Sequence, residues 1–271
     1  MKQTIAFFGL GRMGLPMAGH LLALGHEVRG VDPNPAAGEA HVRAGGQYLE
    51  PRQAVAGADV VIAMLPDGKV VQQALVDGDP RLVDGLQEGA VVVDMSSSSP
   101  VDTLELGRKL EAHGIVLLDA PVSGGVKKAE DASLTIMVGG AAAVVARVRP
   151  LLEAMGARIF ETGILGSGHA MKALNNYVSA AGLAAACEAV IVGRKFGLDP
   201  EAMVDILNVS TGRNNSTEVK MKPFVLSQSF DAGFGLALMA KDLRTADELA
   251  HHVGFAAPLS QCCQAHWTRA S

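Results

Sequence analysis

The sequence predicts an α/β fold: an N-terminal doubly wound, mostly parallel sheet, followed by an all-helical half. Three observations carry this. A short apolar strand, Ile5-Ala-Phe-Phe8, runs straight into Gly9-Leu-Gly11-Arg-Met-Gly14, a strand–turn–helix junction of the dinucleotide-binding type. Nearly continuous apolar runs recur at 60–64, 90–94, 115–119, 134–138 and 158–161, most separated by helix-length segments; parallel strands covered on both faces read this way. From Ser167 onward such runs stop and helical periodicity takes over.

At 271 residues the chain has room for two domains, here 1–163 and 164–271. A net charge of -5 and a pI near 5.9 argue against nucleic acid or an anionic membrane as partner. Cys187, Cys262 and Cys263 have no metal-ligand spacing and no histidine pair forms HExxH, so no metal and a reducing compartment are expected. His251-His252 reads as helix surface. The opening Met1-Lys-Gln-Thr4 carries no signal-peptide pattern, and a cytoplasmic protein is the expectation. The apolar run 177–193 is interrupted by Glu188 and rich in Ala and Gly, which favours a buried helix over a membrane span.

In the glycine turn, Gly9 makes the bend, Gly11 lets a pyrophosphate approach the backbone, and Gly14 lets the helix sit close on the strand. The segment Gly9, Leu10, Gly11, Arg12, Met13, Gly14 thus forms a candidate phosphate cradle at a helix N-terminus. The next strand, 26–31, ends in Asp32, about where an acid accepts hydrogen bonds from the adenosine ribose and repels a 2′-phosphate. Neither Arg29 nor Arg43 sits beside it, so NAD is favoured over NADP. Asp32 within Asp-Pro-Asn-Pro also fits a plain turn residue.

Three later strands end in Leu65-Pro66-Asp67, Met95-Ser96-Ser97-Ser98-Ser99-Pro100 and Ala120-Pro121-Val122-Ser123-Gly124-Gly125. In such sheets all three fall on the rim that carries the glycine turn. Ser96 and Ser97 suit a cofactor contact and a helix cap equally. Ser123-Gly124-Gly125 offers two bare N–H groups beside a hydroxyl, an anion nest suited to a carboxylate.

The second half reads as helices over 168–196, 200–211, 216–228 and 237–252, with Asp199-Pro200 starting the second as cap and N1 proline. The long first helix forms the connection between the halves. On it Lys172 and Asn176 are i and i+4, with Ser179 a turn further. Together they could hold and protonate an oxygen; a snorkelling lysine beside a solvated asparagine fits the same pattern. Lys241-Asp242, by residue type alone, reads as two solvated charges.

These residues together resemble the β-hydroxyacid dehydrogenases, the group of 3-hydroxyisobutyrate dehydrogenase, tartronate semialdehyde reductase and succinic semialdehyde reductases. The matching motifs are Gly9-Leu-Gly-Arg-Met-Gly-Leu-Pro-Met17, Met64-Leu65-Pro66, Asp94-Met-Ser-Ser97, Asp119-Ala-Pro-Val-Ser-Gly-Gly125, Gly166-Ser-Gly-His-Ala-Met-Lys172-Ala-Leu-Asn175-Asn176 and Lys241-Asp242, in order over nearly the whole chain. The resemblance implies a Rossmann domain and an all-α domain, assembled as a homodimer or homotetramer. It makes Lys172 the general acid/base and Asn176 its partner on the substrate, with Ser123, Gly124 and Gly125 on the substrate carboxylate and Asn175 nearby. Met64, Leu65, Pro66, Ser96 and Ser97 would line the nicotinamide side, and Lys241 and Phe234 would approach the cofactor. Burial would lower the Lys172 pKa toward base duty. Family members usually have a glycine where Ala132 stands and one or two further helices past the position of Ser271.

The implied reaction is reversible hydride transfer between NAD and a short 3-hydroxy acid, with 3-hydroxyisobutyrate the leading substrate. Tartronate or succinic semialdehyde reduction, imine reduction and a noncatalytic dinucleotide-binding module are the alternatives; Lys172 speaks against imine reduction, and Lys172, Asn176 and Ser123-Gly124-Gly125 together speak against the module.

Overall fold

The computed structural model describes residues 2–271. The chain divides into two compact units, the boundary falling after Lys172. The first unit is built from β1 (Thr4–Phe8), α1 (Gly14–Ala23), β2 (Glu27–Val31), α2 (Pro35–Arg43), β3 (Gln47–Tyr48), α3 (Pro51–Val55), β4 (Val60–Ala63), α4 (Gly68–Gln72), β5 (Val91–Asp94) and α5 (Pro100–Glu111). It continues through β6 (Val116–Asp119), β7 (Val122–Ser123), α6 (Gly125–Glu130), β8 (Leu134–Gly139), α7 (Ala142–Met155) and β9 (Gly156–Gly163).

The sheet order is β3-β2-β1-β4-β5-β6-β8-β7, with β9 on β8. The first six of these strands are parallel, and the order reverses between β1 and β4, which is where doubly wound sheets bind ligands. Register aligns their ends: Phe8 pairs with Val31 and Ala63, Ala63 with Asp94, and Asp94 with Asp119. The residues that follow, Gly9, Asp32, Met64, Met95 and Ala120, therefore share one rim. Beyond β6 the sheet changes character. β8 runs antiparallel to β6 and to β7, and β9 runs parallel to β8.

The near-continuous apolar runs are explained by burial on both faces. Ile5, Phe7, Val91 and Val93 pack with Met17 and Leu21 of α1 and Val148 and Leu152 of α7. Ala6, Phe8, Val61 and Val92 pack on the other face with Leu106 and Leu110 of α5. Each large apolar side chain so buried stabilises the fold by roughly 1.5–3 kcal/mol. The strands β3 and β7, two residues each, carry too few residues for any periodicity to announce them.

The second unit takes most of α8 (Ser167–Phe196), then α9 (Pro200–Val209), α10 (Asn215–Val219), α11 (Leu236–His252) and α12 (Pro258–Ala270). Asp199 caps α9, its carboxylate accepting from Ala202 N at 2.8 Å with Pro200 in the first turn. The helix expected over 216–228 is two pieces: α10, then a π-helical segment Met221–Leu226. Pro223 lies in that segment and brings no N–H to continue an α ladder. The helix α12 was absent from the sequence expectation, because its Gln, His and Thr residues blur the apolar stripe.

The expectation of a buried helix over 177–193 holds on one face only. Ala180, Ala186 and Val190 are buried in small cores with Met239, Leu243, Val204 and Met221, whereas Val178, Ile191 and Val192 are exposed at 68%, 56% and 67%. By length and hydropathy alone α8 would suffice to cross a membrane. His251 and His252 lie exposed at the end of α11.

Candidate active site

The glycine turn is shaped by backbone contact. A Cβ on Gly14 would stand 1.8 Å from the Gly9 carbonyl oxygen, and one on Gly9, at φ +94°, would stand 2.3 Å from the Met64 carbonyl oxygen. Gly11 differs: a Cβ there would meet no protein atom within 4 Å. Two glycines are thus required by the fold, while the third leaves its backbone accessible. Leu10 is 1% exposed, so only its backbone belongs to the turn's outer surface. Arg12 is exposed and Met13 packs partly against the core.

Asp32 does more than end β2. Its Oδ2 accepts from Leu10 N at 2.7 Å and its Oδ1 from Asn34 N at 2.8 Å, so the carboxylate staples the glycine turn to the second strand. Carboxylate oxygens have further lone pairs for ribose hydroxyls. Arg29 is committed to Glu27 and to the Ala56 carbonyl, and Arg43 pairs with Glu39.

Ser96 does not cap a helix. α5 starts one residue after Ser99, which itself makes no side-chain cap. Instead Ser96, 2% exposed, accepts from Leu65 N through Oγ at 3.0 Å. This ties the half-buried Met64-Leu65 and the exposed Pro66 to the segment after β5. Asp94 organises that segment: Oδ1 accepts from Ser96 N at 2.9 Å and Oδ2 from Ser98 Oγ at 2.7 Å. Behind it, burial pushes the Asp102 carboxyl above its ordinary range, Lys69 opposing and Glu105 and Asp67 adding to the shift.

Ser123 ends β7, and Gly124 and Gly125 follow with φ of 136° and 70°, values that an L side chain rarely adopts. Both glycines are exposed and Ser123 is half-buried. Lys172, on the second turn of α8, donates from Nζ to the Val122 carbonyl at 2.7 Å, one residue before Ser123. The start of α8 is fixed by Asp119, whose carboxylate accepts from Gly166 N at 2.7 Å and His169 N at 2.8 Å. An acid at a helix N-terminus satisfies free N–H groups and meets the positive dipole end.

In the second unit, Asn176 is 7% exposed and donates from Nδ2 to Asp242 Oδ2 at 2.5 Å. Asp242 is 3% exposed and lies 3.8 Å from Lys241 Nζ. This corrects the reading of Lys241-Asp242 as two solvated charges: the aspartate is buried on α11 because the asparagine amide is there to meet it. Asn175 is exposed and donates to Asn176 Oδ1 at 3.2 Å. Phe234 is 45% exposed before α11.

The structure therefore brings Gly9, Leu10 and Asp32 together, Leu65 with Ser96, Lys172 with the strand leading to Ser123, and Asn176 with Lys241-Asp242. Four groups carry this scaffolding without a role assigned from sequence: Asp94, Asp119, His169 and Asp242. A carboxylate ending each of two apolar strands, in Val-Val-Val-Asp94 and Val-Leu-Leu-Asp119, is the signal that could have found the first two. A groove of about 950 Å³ lined by Leu104, Val138, Val145 and Leu165 holds none of the candidate residues.

A glycine turn with its acid at the switch point of a parallel sheet is the arrangement of the dinucleotide-binding folds. Residues 4–163 match the model of the NAD binding domain of 6-phosphogluconate dehydrogenase, and residues 166–271 that described as NAD-binding of NADP-dependent 3-hydroxyisobutyrate dehydrogenase. The chain belongs to the β-hydroxyacid dehydrogenase family and is an NAD-dependent hydroxyacid dehydrogenase. It is 41% identical over 245 residues to 2-(hydroxymethyl)glutarate dehydrogenase of Eubacterium barkeri, covering 90% of this chain and 81% of that protein. It is 38% identical over 262 residues to 3-hydroxyisobutyrate dehydrogenase of Pseudomonas aeruginosa, covering 94% and 88%. The solved structure of Mycobacterium tuberculosis 3-hydroxyisobutyrate dehydrogenase with L-serine superposes with a TM-score of 0.91 at 37% identity, covering 99% of this chain and 94% of that one.

Proposed function

We propose that the chain catalyses reversible oxidation of a short 3-hydroxy acid to its semialdehyde, with 3-hydroxyisobutyrate as the leading substrate and Lys172 as the general acid/base. The observation that carries this is the 2.7 Å hydrogen bond from Lys172 Nζ to the Val122 carbonyl, which sets the lysine beside Ser123-Gly124-Gly125. The nest takes the substrate carboxylate, and the hydroxyl-bearing carbon two bonds from it then lies within the lysine's reach.

The residues present fit NAD: the Gly11 backbone faces no protein atom where a Cβ would point, and the Asp32 carboxylate stands at the end of β2 with lone pairs to spare. Gly9 to Gly14 would hold the pyrophosphate, Asp32 the adenosine ribose, and Met64, Leu65, Pro66, Ser96 and Ser97 the nicotinamide side. When bound, NAD supplies the hydride acceptor for the carbinol carbon. In oxidation Lys172 takes the hydroxyl proton as the carbonyl forms; in reduction its ammonium returns a proton to that oxygen. Asn176, its amide oriented by Asp242, holds the same oxygen, and Asn175 lies beside it. Asp32 disfavours a 2′-phosphate, which supports NAD over NADP.

L-serine is the second reading, favoured because the M. tuberculosis relative was solved with it. A cytoplasmic homodimer or homotetramer completes the proposal. The exposed Val178, Ile191 and Val192 on α8 support assembly.

The test is steady-state oxidation of 3-hydroxyisobutyrate, D-glycerate, 4-hydroxybutyrate and L-serine, each with NAD and NADP, by wild type and Lys172→Ala. The expected result is NAD-linked turnover preferring 3-hydroxyisobutyrate, lost by at least about 10²-fold in the variant while NADH still binds. Preference for L-serine would install the second reading. NADH binding with no turnover on any substrate would overturn both in favour of a noncatalytic module.

A further inference from the structure

His169 is fully buried, and every group around it belongs to the frame of the site. Its Nδ1 shares a 2.7 Å hydrogen bond with Thr103 Oγ1 on the first turn of α5. The same Nδ1 lies 3.8 Å from Asp119 Oδ2, and Nε2 lies 3.8 Å from Asp94 Oδ2. Asp94 and Asp119 are direct neighbours across β5 and β6, with side chains 2% and 0% exposed. Two carboxylates buried side by side require a polar group between them, and the imidazole is that group. Nε2 makes no hydrogen bond within the usual distance. Thr103 Oγ1 already donates to the Ser99 carbonyl at 2.9 Å, so in its bond to the ring Nδ1 is the donor.

The two acids hold different parts of the site. Asp94 fixes Ser96 and Ser98 after β5. Asp119 fixes the N–H groups of Gly166 and of His169 itself at the start of α8. Lys172 follows His169 by three residues, on the neighbouring turn of the same helix face. The imidazole is thus the side chain through which the cofactor-side segment, the first turn of α5 and the turn bearing Lys172 meet.

We infer that His169 is a positioning residue for Lys172: by bridging Thr103, Asp94 and Asp119 it sets the rotation of the first turn of α8, and with it the place of the ammonium beside Val122. The inference rests on the reading of Lys172 as general acid/base. It predicts a loss in turnover without a loss in cofactor affinity, because the glycine turn and Asp32 make no contact with the ring.

The experiment compares the full-length variants His169→Leu, His169→Asn, His169→Gln, Thr103→Val and Lys172→Ala by kcat, KM for NAD, NADH binding and thermal midpoint. Asn places an amide near the Nδ1 position, and Gln places one near Nε2. His169→Leu is expected to lower kcat about 10²-fold, as a displacement near 1 Å does, with KM for NAD within twofold of wild type. At least one of His169→Asn and His169→Gln is expected to recover tenfold or more of that loss. Wild-type kcat in His169→Leu overturns the inference, as does a loss that neither amide restores although both fold normally, since the ring would then act by volume alone. If His169→Leu does not fold, Thr103→Val decides: lowered kcat with unchanged KM for NAD supports the bridge, and wild-type kcat overturns it. Lys172→Ala separates the two readings. An active Lys172→Ala removes the Lys172 reading and this inference with it, whereas an inactive one beside a fully active His169→Leu removes this inference alone.

Discussion

Asn176 and Asp242, 66 residues apart in sequence, meet through a 2.5 Å hydrogen bond between two buried side chains. A bond to a charged group in such a place contributes roughly 1.5–3 kcal/mol, and it also fixes the amide's orientation, with Oδ1 toward Asn175 Nδ2 and a second Nδ2 hydrogen left to donate. Asp242→Asn lets that amide flip. We expect kcat to fall by at least about tenfold, equivalent to the lower end of that range, together with a lower urea midpoint. Wild-type values for both would show that Asp242 neither orients nor stabilises Asn176.

The two glycines Gly11 and Gly14 separate binding from folding. Gly14→Ala drives a methyl group to 1.8 Å from the Gly9 carbonyl oxygen, so a fall in thermal midpoint is expected. Gly11→Ala meets no protein atom within 4 Å; stability stays near wild type while NADH affinity, measured by fluorescence titration, drops about tenfold or more, the cost of about 1.4 kcal/mol. Full NADH affinity in Gly11→Ala would move the phosphate cradle elsewhere.

Ala132 sits at φ 53°, a left-handed conformation that costs an L residue about 1–2 kcal/mol. Ala132→Gly removes that cost but loosens the unfolded chain by about 0.4–1 kcal/mol. The balance is a gain of about 0.5–1 kcal/mol in urea unfolding. A loss of stability would show that the methyl group has a packing role.

Stability also depends on pH through His41. Its ring is 0% exposed, Nε2 meets the Val28 carbonyl at 3.1 Å, and Nδ1 has no partner. Burial holds its pKa below the ordinary 6.5, the Val28 carbonyl opposing. The unfolded chain therefore binds the proton first as pH falls through about 6.5. The stabilisation is complete above that value and shrinks below it, until the folded pKa is reached. His26, likewise lowered by burial, adds the same sign, so the comparison must be with His41→Leu. Its urea midpoint should change less between pH 7.5 and 5.5 than that of wild type; equal changes would remove His41 as a source.

The rim of the sheet was legible because it follows from local rules. An apolar strand, a glycine turn and an acid after the next strand each constrain their own neighbours, so Gly9, Gly14 and Asp32 were placed with their contacts almost implied. Lys172 and Asn176 were legible as a helical pair for the same reason. Asp242 was not: its burial depends on a partner in another helix, and no local pattern distinguishes a buried aspartate after a lysine from a solvated one. Ser96 had two readings in sequence, and only the tertiary bond from Leu65 N removed the cap. The exposed side of α8 was misread because an Ala- and Gly-rich run has no polar face to mark what the chain leaves uncovered.

The junction where β8 turns antiparallel beside β6 separates two kinds of sheet backbone. The parallel strands up to β6 end on the rim that holds Gly9 and Asp32, while Ser123 ends, and Gly124-Gly125 follows, a two-residue strand that pairs antiparallel with β8. On the proposed reading of Ser123-Gly124-Gly125, substitutions there change which acid is accepted and leave the parallel strands and their glycine turn as they are.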